Sequence, residues 1–249
     1  TKSAARILGA TLMPAARLEV ERLSAGYGST QIVSEMSFEV PAGGRLAILG
    51  RNGVGKTTLL ATLMGLSTRH HGRILADGKD ISALRTSARA LCGMGYVPQT
   101  RDIFGSLTVE ENLSTGFKTR ERGGLEDIYQ MFPRLAERRR HLGIQLSGGE
   151  QQMLSMARTL LGKPSILLLD EPLEGLAPVI CDQLMETIYR LATGGDMTII
   201  LVEQQIERAL NFADRVIVVE RGRAVWEGAS GELKSDRALV NRLLGVGIH

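Results

Sequence analysis

The chain has 249 residues, of which 43% are hydrophobic and 23% are charged, and its formal net charge is +3 at pH 7. This length can bury a well-formed core in one domain, or in one domain that carries a sizeable insert. So small a positive charge does not by itself indicate a nucleic-acid partner, and no apolar run approaches the ~20 residues that a membrane-spanning helix needs.

The amino-terminal part predicts a leader followed by strands. Residues 1–16 are Ala-rich without a clear period, so we expect a leader or a disordered segment ahead of the folded core. Residues 17–23 and 31–40 alternate apolar and polar side chains, as half-buried strands do. Residues 45–49 predict a short buried strand, and residues 56–66 have the spacing of a helix. These last two segments flank a glycine-rich loop.

That loop fits the pattern of a loop that wraps the phosphates of ATP or GTP. Its glycines let the backbone curl so that N–H groups converge on phosphate oxygens, and the following helix adds the positive end of its dipole. We expect Lys56 to bring a charge to the β- and γ-phosphates and Thr57 to hold Mg²⁺ through its hydroxyl. A chance glycine-rich turn is the alternative, which the complete spacing between a strand and a helix disfavours. The predicted nucleotide-binding residues of the loop are Gly50, Arg51, Asn52, Gly53, Val54, Gly55, Lys56, Thr57 and Thr58.

The middle of the chain differs in character. Residues 99–146 hold few β-branched residues and several helical stretches, which predicts a mainly helical insert. After residue 165 strands and helices alternate again, which predicts a parallel sheet covered on both faces. A last amphipathic helix is predicted over residues 230–244. We therefore divide the chain into a leader, an ATP-binding α/β core and a helical subdomain, which cover residues 1–16, residues 17–98 with 163–249, and residues 99–162.

A Ser-Gly-Gly turn opens a helix near the end of the insert. Ser147 is a suitable N-cap, and Gly148 and Gly149 expose backbone N–H groups ahead of the helix. Alone this pattern is weak, because capped helices are common. It becomes specific through its place shortly before an acidic strand, so we include Ser147, Gly148, Gly149 and Glu150 among the predicted nucleotide contacts.

That strand, residues 166–169, is followed directly by Asp170 and Glu171. At the carboxyl end of a buried strand, Asp170 can reach the Mg²⁺. Glu171 is one residue further and can orient or deprotonate the attacking water, and loss of such a base typically costs ~10²–10⁴-fold in rate. An ordinary charge pair at a strand end is the alternative, which the phosphate loop makes the weaker one.

These motifs together resemble the ATP-binding subunit of an ABC transporter over about residues 17–245. The resemblance implies an α/β fold: a P-loop core with a parallel sheet, an amino-terminal antiparallel β portion and an inserted helical subdomain. It also implies a dimer with two composite sites, in which the Ser-Gly-Gly turn of one subunit closes over ATP held by the other's phosphate loop. Tyr27 would stack on adenine, and Gln99 would touch Mg²⁺ and link the core to the insert. The implied Mg²⁺ ligands are Thr57, Gln99 and Asp170.

The likeness is greatest to the smaller ATPases of branched-chain amino-acid and urea or amide importers. It is carried by residues 50–58, 106–113, 174–178 and 201–204. Gln204 stands where the wider family usually has His; it can hydrogen-bond the γ-phosphate or the water, but it cannot titrate. With Lys56 and Glu171 it completes the predicted catalytic set. Leu173 and Ala177 also depart from the family, which usually has a small hydroxyl residue and Asp there.

The resemblance implies a function and partners as well. ATP hydrolysis, with ATP and Mg²⁺ as cofactors, would power uptake of branched-chain amino acids or related small amides through separate membrane subunits, which residues 101–104 would face. The assembly would include a second ATPase subunit, identical or related, and indirectly an extracytoplasmic solute-binding protein. The chain would lie on the cytoplasmic face of the inner membrane, and no nucleic acid would take part. A urea importer ATPase, a lipopolysaccharide-type exporter ATPase and a soluble ABC ATPase acting on ribosomes or DNA are the alternatives.

Overall fold

The structure is a computed structural model that describes residues 14–118 and 124–245. Most of the predicted leader, residues 1–13, lies outside the described residues. Ala16 is buried, and its carbonyl accepts a hydrogen bond of 2.7 Å from the Thr198 hydroxyl. The chain is therefore attached to the core just before the first strand.

Ten strands and ten α-helices are found in the described residues. The strands are β1 Leu18–Tyr27, β2 Thr30–Val40, β3 Arg45–Leu49, β4 Thr68–Ala76, β5 Lys79–Asp80, β6 Met94–Val97, β7 Ile166–Asp170, β8 Thr198–Val202, β9 Arg215–Glu220 and β10 Arg223–Ala229. The helices are α1 Lys56–Met64, α2 Thr86–Leu91, α3 Val109–Ser114, α4 Leu125–Met131, α5 Pro133–Glu137, α6 Gly148–Leu161, α7 Pro178–Thr193, α8 Ile206–Phe212, α9 Ser230–Ser235 and α10 Arg237–Leu244.

The larger sheet has six strands in the order β10-β9-β3-β8-β7-β6. The strands from β9 to β6 pair in parallel, and β10 pairs antiparallel with β9 at one edge. Leu46 and Ile48 of β3 join one buried cluster while Ala47 and Leu49 join another, because successive side chains of a strand point to opposite faces. Both faces of the sheet are covered, and the predicted parallel sheet is confirmed.

The smaller sheet is antiparallel, with the order β2-β1-β4-β5. Its residues Leu18, Val33 and Ile74 share one buried cluster with Leu59 and Leu63 of α1. Helix α1 also contacts β6 and β7 of the larger sheet. The amino-terminal antiparallel portion is thus confirmed, and it packs against the helix that follows the phosphate loop.

Helices α3 to α6 lie between the two halves of the α/β core in sequence. They bury Val109, Ile128, Leu154 and Leu160 in the cluster that covers the second face of the larger sheet. The predicted single helix over residues 230–244 is wrong. The chain breaks at Asp236, whose carboxylate accepts a hydrogen bond of 2.9 Å from the Leu239 N–H and so caps the start of α10. None of the helices in the described part of the chain has the length and apolarity that a bilayer crossing requires.

A buried arginine closes the far end of α1. The Arg89 side chain is 3% exposed and donates to the carbonyls of Thr62 and Leu63 at 2.7 and 2.8 Å, and to those of Leu84 and Ser82 at 2.8 and 2.9 Å. Burial lowers the pKa of the guanidinium, but these carbonyls satisfy its donors, and a cation at a helix C-terminus complements the helix dipole.

We expect Arg89→Ala to lower the free energy of unfolding by about 2–3 kcal/mol, because four carbonyls each lose a hydrogen bond from a buried guanidinium. Chemical denaturation of the purified chain measures this change. Arg85→Ala is the matched control, since Arg85 is exposed on the same helical segment and its side chain does not cap α2. Equal stabilities of the two variants would contradict the role assigned to Arg89.

Candidate functional site

The glycine-rich loop leaves the carboxyl end of β3, inside the six-stranded sheet, and runs into α1. Gly50 has a φ of 152°, and a Cβ at this position would lie 2.4 Å from the Val219 carbonyl oxygen. Gly55 has a φ of 106° at the N-cap of α1. Only glycine accepts a positive φ and so close a backbone contact without strain. The glycines therefore let the loop adopt the curled backbone that phosphate binding needs.

A cavity of about 350 Å³ opens at this loop. It brings Gln99 and Glu171, 72 positions apart in sequence, to the phosphate loop. The lining residues are Ile32, Asn52, Gly53, Gly55, Lys56, Thr57, Thr58, Gln99 and Glu171. All of them except Ile32 were predicted as site residues from the sequence. Ile32, on β2, adds an apolar wall that the loop motif does not include.

Lys56 is buried at the start of α1, with 3% of its side chain exposed. Its ammonium Nζ donates to the carbonyls of Gly50 at 2.8 Å and Arg51 at 3.0 Å, and it lies 3.4 Å from Glu171 Oε1. The charge is therefore held inside the curl of the loop, next to the carboxylate at the end of β7. Arg51 and Asn52 are exposed at the tip of the loop, whereas Val54 packs against the core.

Asp170 ends β7 and faces the start of α1. Its Oδ1 accepts a hydrogen bond of 3.1 Å from the Thr57 hydroxyl, and its Oδ2 accepts one of 3.0 Å from the Tyr96 hydroxyl. Burial raises the pKa of Asp170 to about 6, while these two hydrogen bonds favour the charged form. A cation at this carboxylate would favour the charged form further.

The donor set beside Asp170 fits Mg²⁺. Thr57 and Asp170 present a hydroxyl and a carboxylate that are in direct contact, and Gln99 adds an amide on the cavity wall. Mg²⁺ takes such oxygen ligands and usually keeps several positions for water and substrate phosphates. In the described residues, His, Cys, Asp and Glu form no group of three or more that could hold a metal ion.

Glu171 takes a rare conformation at the strand end. Its φ is 46°, its N–H donates to the Val202 carbonyl at 2.9 Å, and its side chain is buried. Oε2 accepts from the Nε2 atoms of Gln204 and Gln99, the latter at 3.4 Å. A non-glycine residue in this left-handed region is strained, and such strain persists where the surroundings fix it, often at functional sites. With the Lys56 ammonium near Oε1, these two amides hold the carboxylate from three segments of the chain.

Glu203 was not predicted as a site residue, although it supports this one. It is buried after β8, and its carboxylate accepts from the N–H groups of Leu173 at 3.1 Å and Gln204 at 3.1 Å. Burial raises the pKa of Glu203, against the effect of these hydrogen bonds. The residue ties the segment after Glu171 to the segment that carries Gln204. A carboxylate directly after a buried strand is the sequence signal that could have indicated it.

Tyr27 lies at the end of β1, with half of its side chain exposed. Its ring is available for stacking.

The Ser-Gly-Gly turn lies at the start of helix α6. Ser147 caps α6, since its hydroxyl accepts from the Glu150 N–H at 3.3 Å while the Glu150 carboxylate accepts from the Ser147 N–H at 2.8 Å.

The turn does not meet the phosphate loop inside the described part of one chain. Ser147 and Glu150 line a second cavity of about 520 Å³, formed with residues of α4 and α7. Gly148 and Gly149 follow at the start of α6, next to Arg101 and Ile180 respectively. The structure therefore gathers the phosphate loop, Gln99, Asp170, Glu171 and Gln204, and leaves the four predicted residues of the turn apart from them.

Comparisons with known proteins identify relatives that bind ATP, in agreement with a phosphate-binding loop in this cavity. Residues 33–174 match the sequence model of the family described as ABC transporter. The chain is 38% identical over 232 residues to the high-affinity branched-chain amino acid transport ATP-binding protein BraG of Pseudomonas aeruginosa, a match that covers 92% of this chain and 99% of that protein. It is 32% identical over 235 residues to the lipopolysaccharide export system ATP-binding protein LptB of Haemophilus influenzae, covering 92% and 97%.

The fold has solved counterparts. A bacterial Atm1-family ABC exporter with ATP bound matches with a TM-score of 0.79 and 27% sequence identity, over 93% of this chain and 42% of that chain. The family match contains the phosphate loop, Gln99, the Ser-Gly-Gly turn and the Asp170-Glu171 pair, whereas Tyr27 and Gln204 lie outside its range.

Proposed function

This chain belongs to the ABC transporter family, and we propose that it is the ATP-hydrolysing subunit of an importer that takes up branched-chain amino acids or related small amides. Identity to the branched-chain amino acid protein, at 38%, exceeds that to the lipopolysaccharide export protein, at 32%. Gln204 supports the importer too, because residues 201–204 are among those that carry the resemblance to the importer ATPases.

One observation carries the assignment of the nucleotide site. Two adjacent residues of the loop and helix contact two adjacent residues at the end of β7, through Thr57 with Asp170 at 3.1 Å and Lys56 with Glu171 at 3.4 Å. From these contacts we infer that a site for phosphate charge, a site for a divalent cation and a general base lie together beside this cavity. These are the parts that phosphoryl transfer to water requires.

Each of these residues would have a separate role in hydrolysis. Lys56 would place its charge on the β- and γ-phosphates, beside the backbone of the phosphate loop. Thr57, Asp170 and Gln99 would hold Mg²⁺, which when bound neutralises charge on the phosphate oxygens. Glu171 would accept the proton of the attacking water, and Gln204, which donates to Glu171 Oε2, would fix the direction of that carboxylate.

We further propose that each nucleotide site is completed by a second ATPase subunit. The Ser-Gly-Gly turn caps the 14-residue helix α6, so its N–H groups and the helix dipole favour an anion. Because the turn does not line the phosphate cavity of its own chain, a partner's ATP is the anion that it would contact. Two such chains would then enclose two ATP molecules between them.

A groove beside the helical insert would receive the membrane subunits. It has a volume of about 640 Å³, and its walls include Leu66, Phe104, Phe117, Lys118 and Arg158. Leu66 and Phe104 are 53% and 49% exposed, so the groove presents apolar surface that a partner could cover. The groove is also lined by Tyr96 and Pro98, at the end of β6 and just before Gln99, so it adjoins the segment that carries Gln99 to the phosphate cavity. An extracytoplasmic solute-binding protein and a peripheral position at the membrane belong to the same proposal.

Uptake and co-purification together test the importer against its alternatives. We expect deletion of the gene to abolish uptake of labelled leucine, isoleucine and valine, and re-expression of the wild type, but not of Glu171→Gln, to restore it. Loss of urea uptake alone would instead identify a urea importer. Permease chains are expected to co-purify with the protein from native membranes. Ribosomal proteins, or components of lipopolysaccharide export, in their place would contradict the proposal.

We expect Tyr27→Ala to weaken ATP binding by about 1–3 kcal/mol, the range for loss of an aromatic ring that stacks on a base. Tyr27→Phe keeps the ring and should retain the affinity, so it is the matched control. Equilibrium titration with a fluorescent ATP analogue labelled on the ribose measures both. Equal affinities of the Ala variant and the wild type would remove Tyr27 from the adenine site.

A further inference from the structure

The Gln99 amide lies between two carboxylates. Its Nε2 donates to Glu174 Oε2 at 2.5 Å and to Glu171 Oε2 at 3.4 Å. Glu174 belongs to the turn after β7, where its own N–H donates to the Glu171 carbonyl at 3.1 Å. The short contact therefore joins the segment after β6 to the segment that carries the proposed base.

These contacts fix the direction of the amide. A carboxylate can only accept hydrogen bonds, so Glu171 and Glu174 together hold the NH₂ group of Gln99. The carbonyl oxygen Oε1 is then left on the other edge of the amide. Gln99 lines the phosphate cavity, and an amide oxygen is a suitable ligand for a hard cation, whereas an NH₂ group is not.

We propose, on the basis of the proposed function, that Glu174 is a positioning residue that presents the Gln99 carbonyl oxygen to the Mg²⁺ of bound ATP. Glu171 does this less well, because it is 3.4 Å from the amide and already accepts from Gln204 and pairs with Lys56. Gln99 is exposed and has several rotatable bonds, so without Glu174 its amide would turn freely.

The charge of Glu174 gives this role a distinct signature. A carboxylate near the phosphate cavity repels ATP that carries no cation, and its removal should leave metal-free affinity unchanged or raise it. Loss of the positioning contact should act in the opposite direction, and only when Mg²⁺ is present. A general structural role for Glu174 would weaken binding under both conditions.

The test is binding of the non-hydrolysable analogue AMP-PNP to the full chain, titrated once with EDTA and once with saturating Mg²⁺. The ratio of the two dissociation constants is the gain from Mg²⁺. The variants are Glu174→Ala, Glu174→Gln, Gln99→Ala and the double variant Glu174→Ala with Gln99→Ala. Glu207→Ala is the control, since Glu207 is an exposed carboxylate on α8 that lines a different cavity.

We expect Glu174→Ala to reduce the Mg²⁺ gain about tenfold, as is typical when the hydrogen-bond partner of a metal ligand is removed. Glu174→Gln should keep part of the gain, because its amide oxygen can still accept from Gln99. The double variant should lose no more than Gln99→Ala alone, since Glu174 acts through Gln99. Glu207→Ala should match the wild type.

Three results would overturn the inference. The first is a full Mg²⁺ gain in Glu174→Ala, and the second is a loss in the double variant that equals the sum of the two single losses. The third is weaker binding of Glu174→Ala in EDTA. If the wild type itself showed no gain from Mg²⁺, the proposed nucleotide site would fail together with the inference, whereas any of the three results leaves the proposed function standing.

Discussion

Lys56→Met is expected to lower ATP hydrolysis by at least about 10²–10³-fold, the range seen when one preorganised electrostatic contact to a transition state is removed. The ammonium is 3% exposed and is held by the Gly50 and Arg51 carbonyls, so no water or mobile side chain can replace its charge on the phosphates. Methionine keeps the length of the apolar stem and removes only the charge. Phosphate release by the purified chain, at saturating ATP and Mg²⁺, measures the effect.

The control variants separate lost chemistry from lost folding. Lys79→Met removes a lysine from the exposed strand β5 and should hydrolyse ATP at the wild-type rate. Lys56→Met leaves the buried Glu171 carboxylate without its cation, so we expect a lower Tm as well. The double variant Lys56→Met with Glu171→Gln removes both charges and should regain Tm without regaining activity. Hydrolysis near the wild-type rate in a folded Lys56→Met would refute the site assignment.

The central strands and the phosphate loop could be predicted because local sequence and buried position agree there. Residues 45–49 form an apolar run that both faces of the sheet cover, and the glycines after it meet backbone requirements that only glycine satisfies. For β7 the same reasoning holds, and its two acidic residues follow at the edge where parallel strands place their functional groups.

Other strands could not be predicted because their sequence does not show a strand pattern. β4 contains Arg69, His70, His71 and Gly72, and it is a strand because it pairs with β1 along most of its length. β10 lies at the sheet edge and alternates only in part, since Val225 is exposed there. In both cases pairing with a neighbour, rather than propensity, determines the structure.

The carboxylates that hold other site residues in place show a second limit of prediction from the sequence. Glu171 was predicted from its motif, but Glu174 and Glu203 act through segments that are distant in sequence. Glu203 accepts from backbone N–H groups on either side of the site, and Glu174 accepts from Gln99, 75 positions away. Motif spacing indicates residues that contact a ligand where several of them share one short segment, as in the phosphate loop. It contains no information on which side chains hold them, and that requires the folded geometry.

Glu171→Gln is expected to lower hydrolysis by about 10²–10⁴-fold while ATP binding is kept, because the variant loses the carboxylate that we propose as the acceptor of the proton of water. In the wild type Oε1 lies near the Lys56 ammonium and Oε2 accepts from two amides, so the glutamine must turn its NH₂ group toward one set of these donors. The ATP that is not hydrolysed should remain between two subunits. Size-exclusion chromatography with light scattering, with ATP and Mg²⁺, should therefore show a dimer.

A second change tests whether the sites are composite. Ser147→Arg in the Glu171→Gln background places a bulky cation on the turn that would face the partner's ATP, and loss of the N-cap itself should cost only about 1 kcal/mol. We expect this double variant to bind ATP and to stay monomeric. A stable ATP-dependent dimer despite Ser147→Arg would show that the subunits meet through another surface. The composite site would be contradicted if Glu171→Gln formed no ATPase dimer, either as the purified chain or in complex with co-purified permeases. The Ser-Gly-Gly turn would then be a helix cap that binds no ATP of a partner.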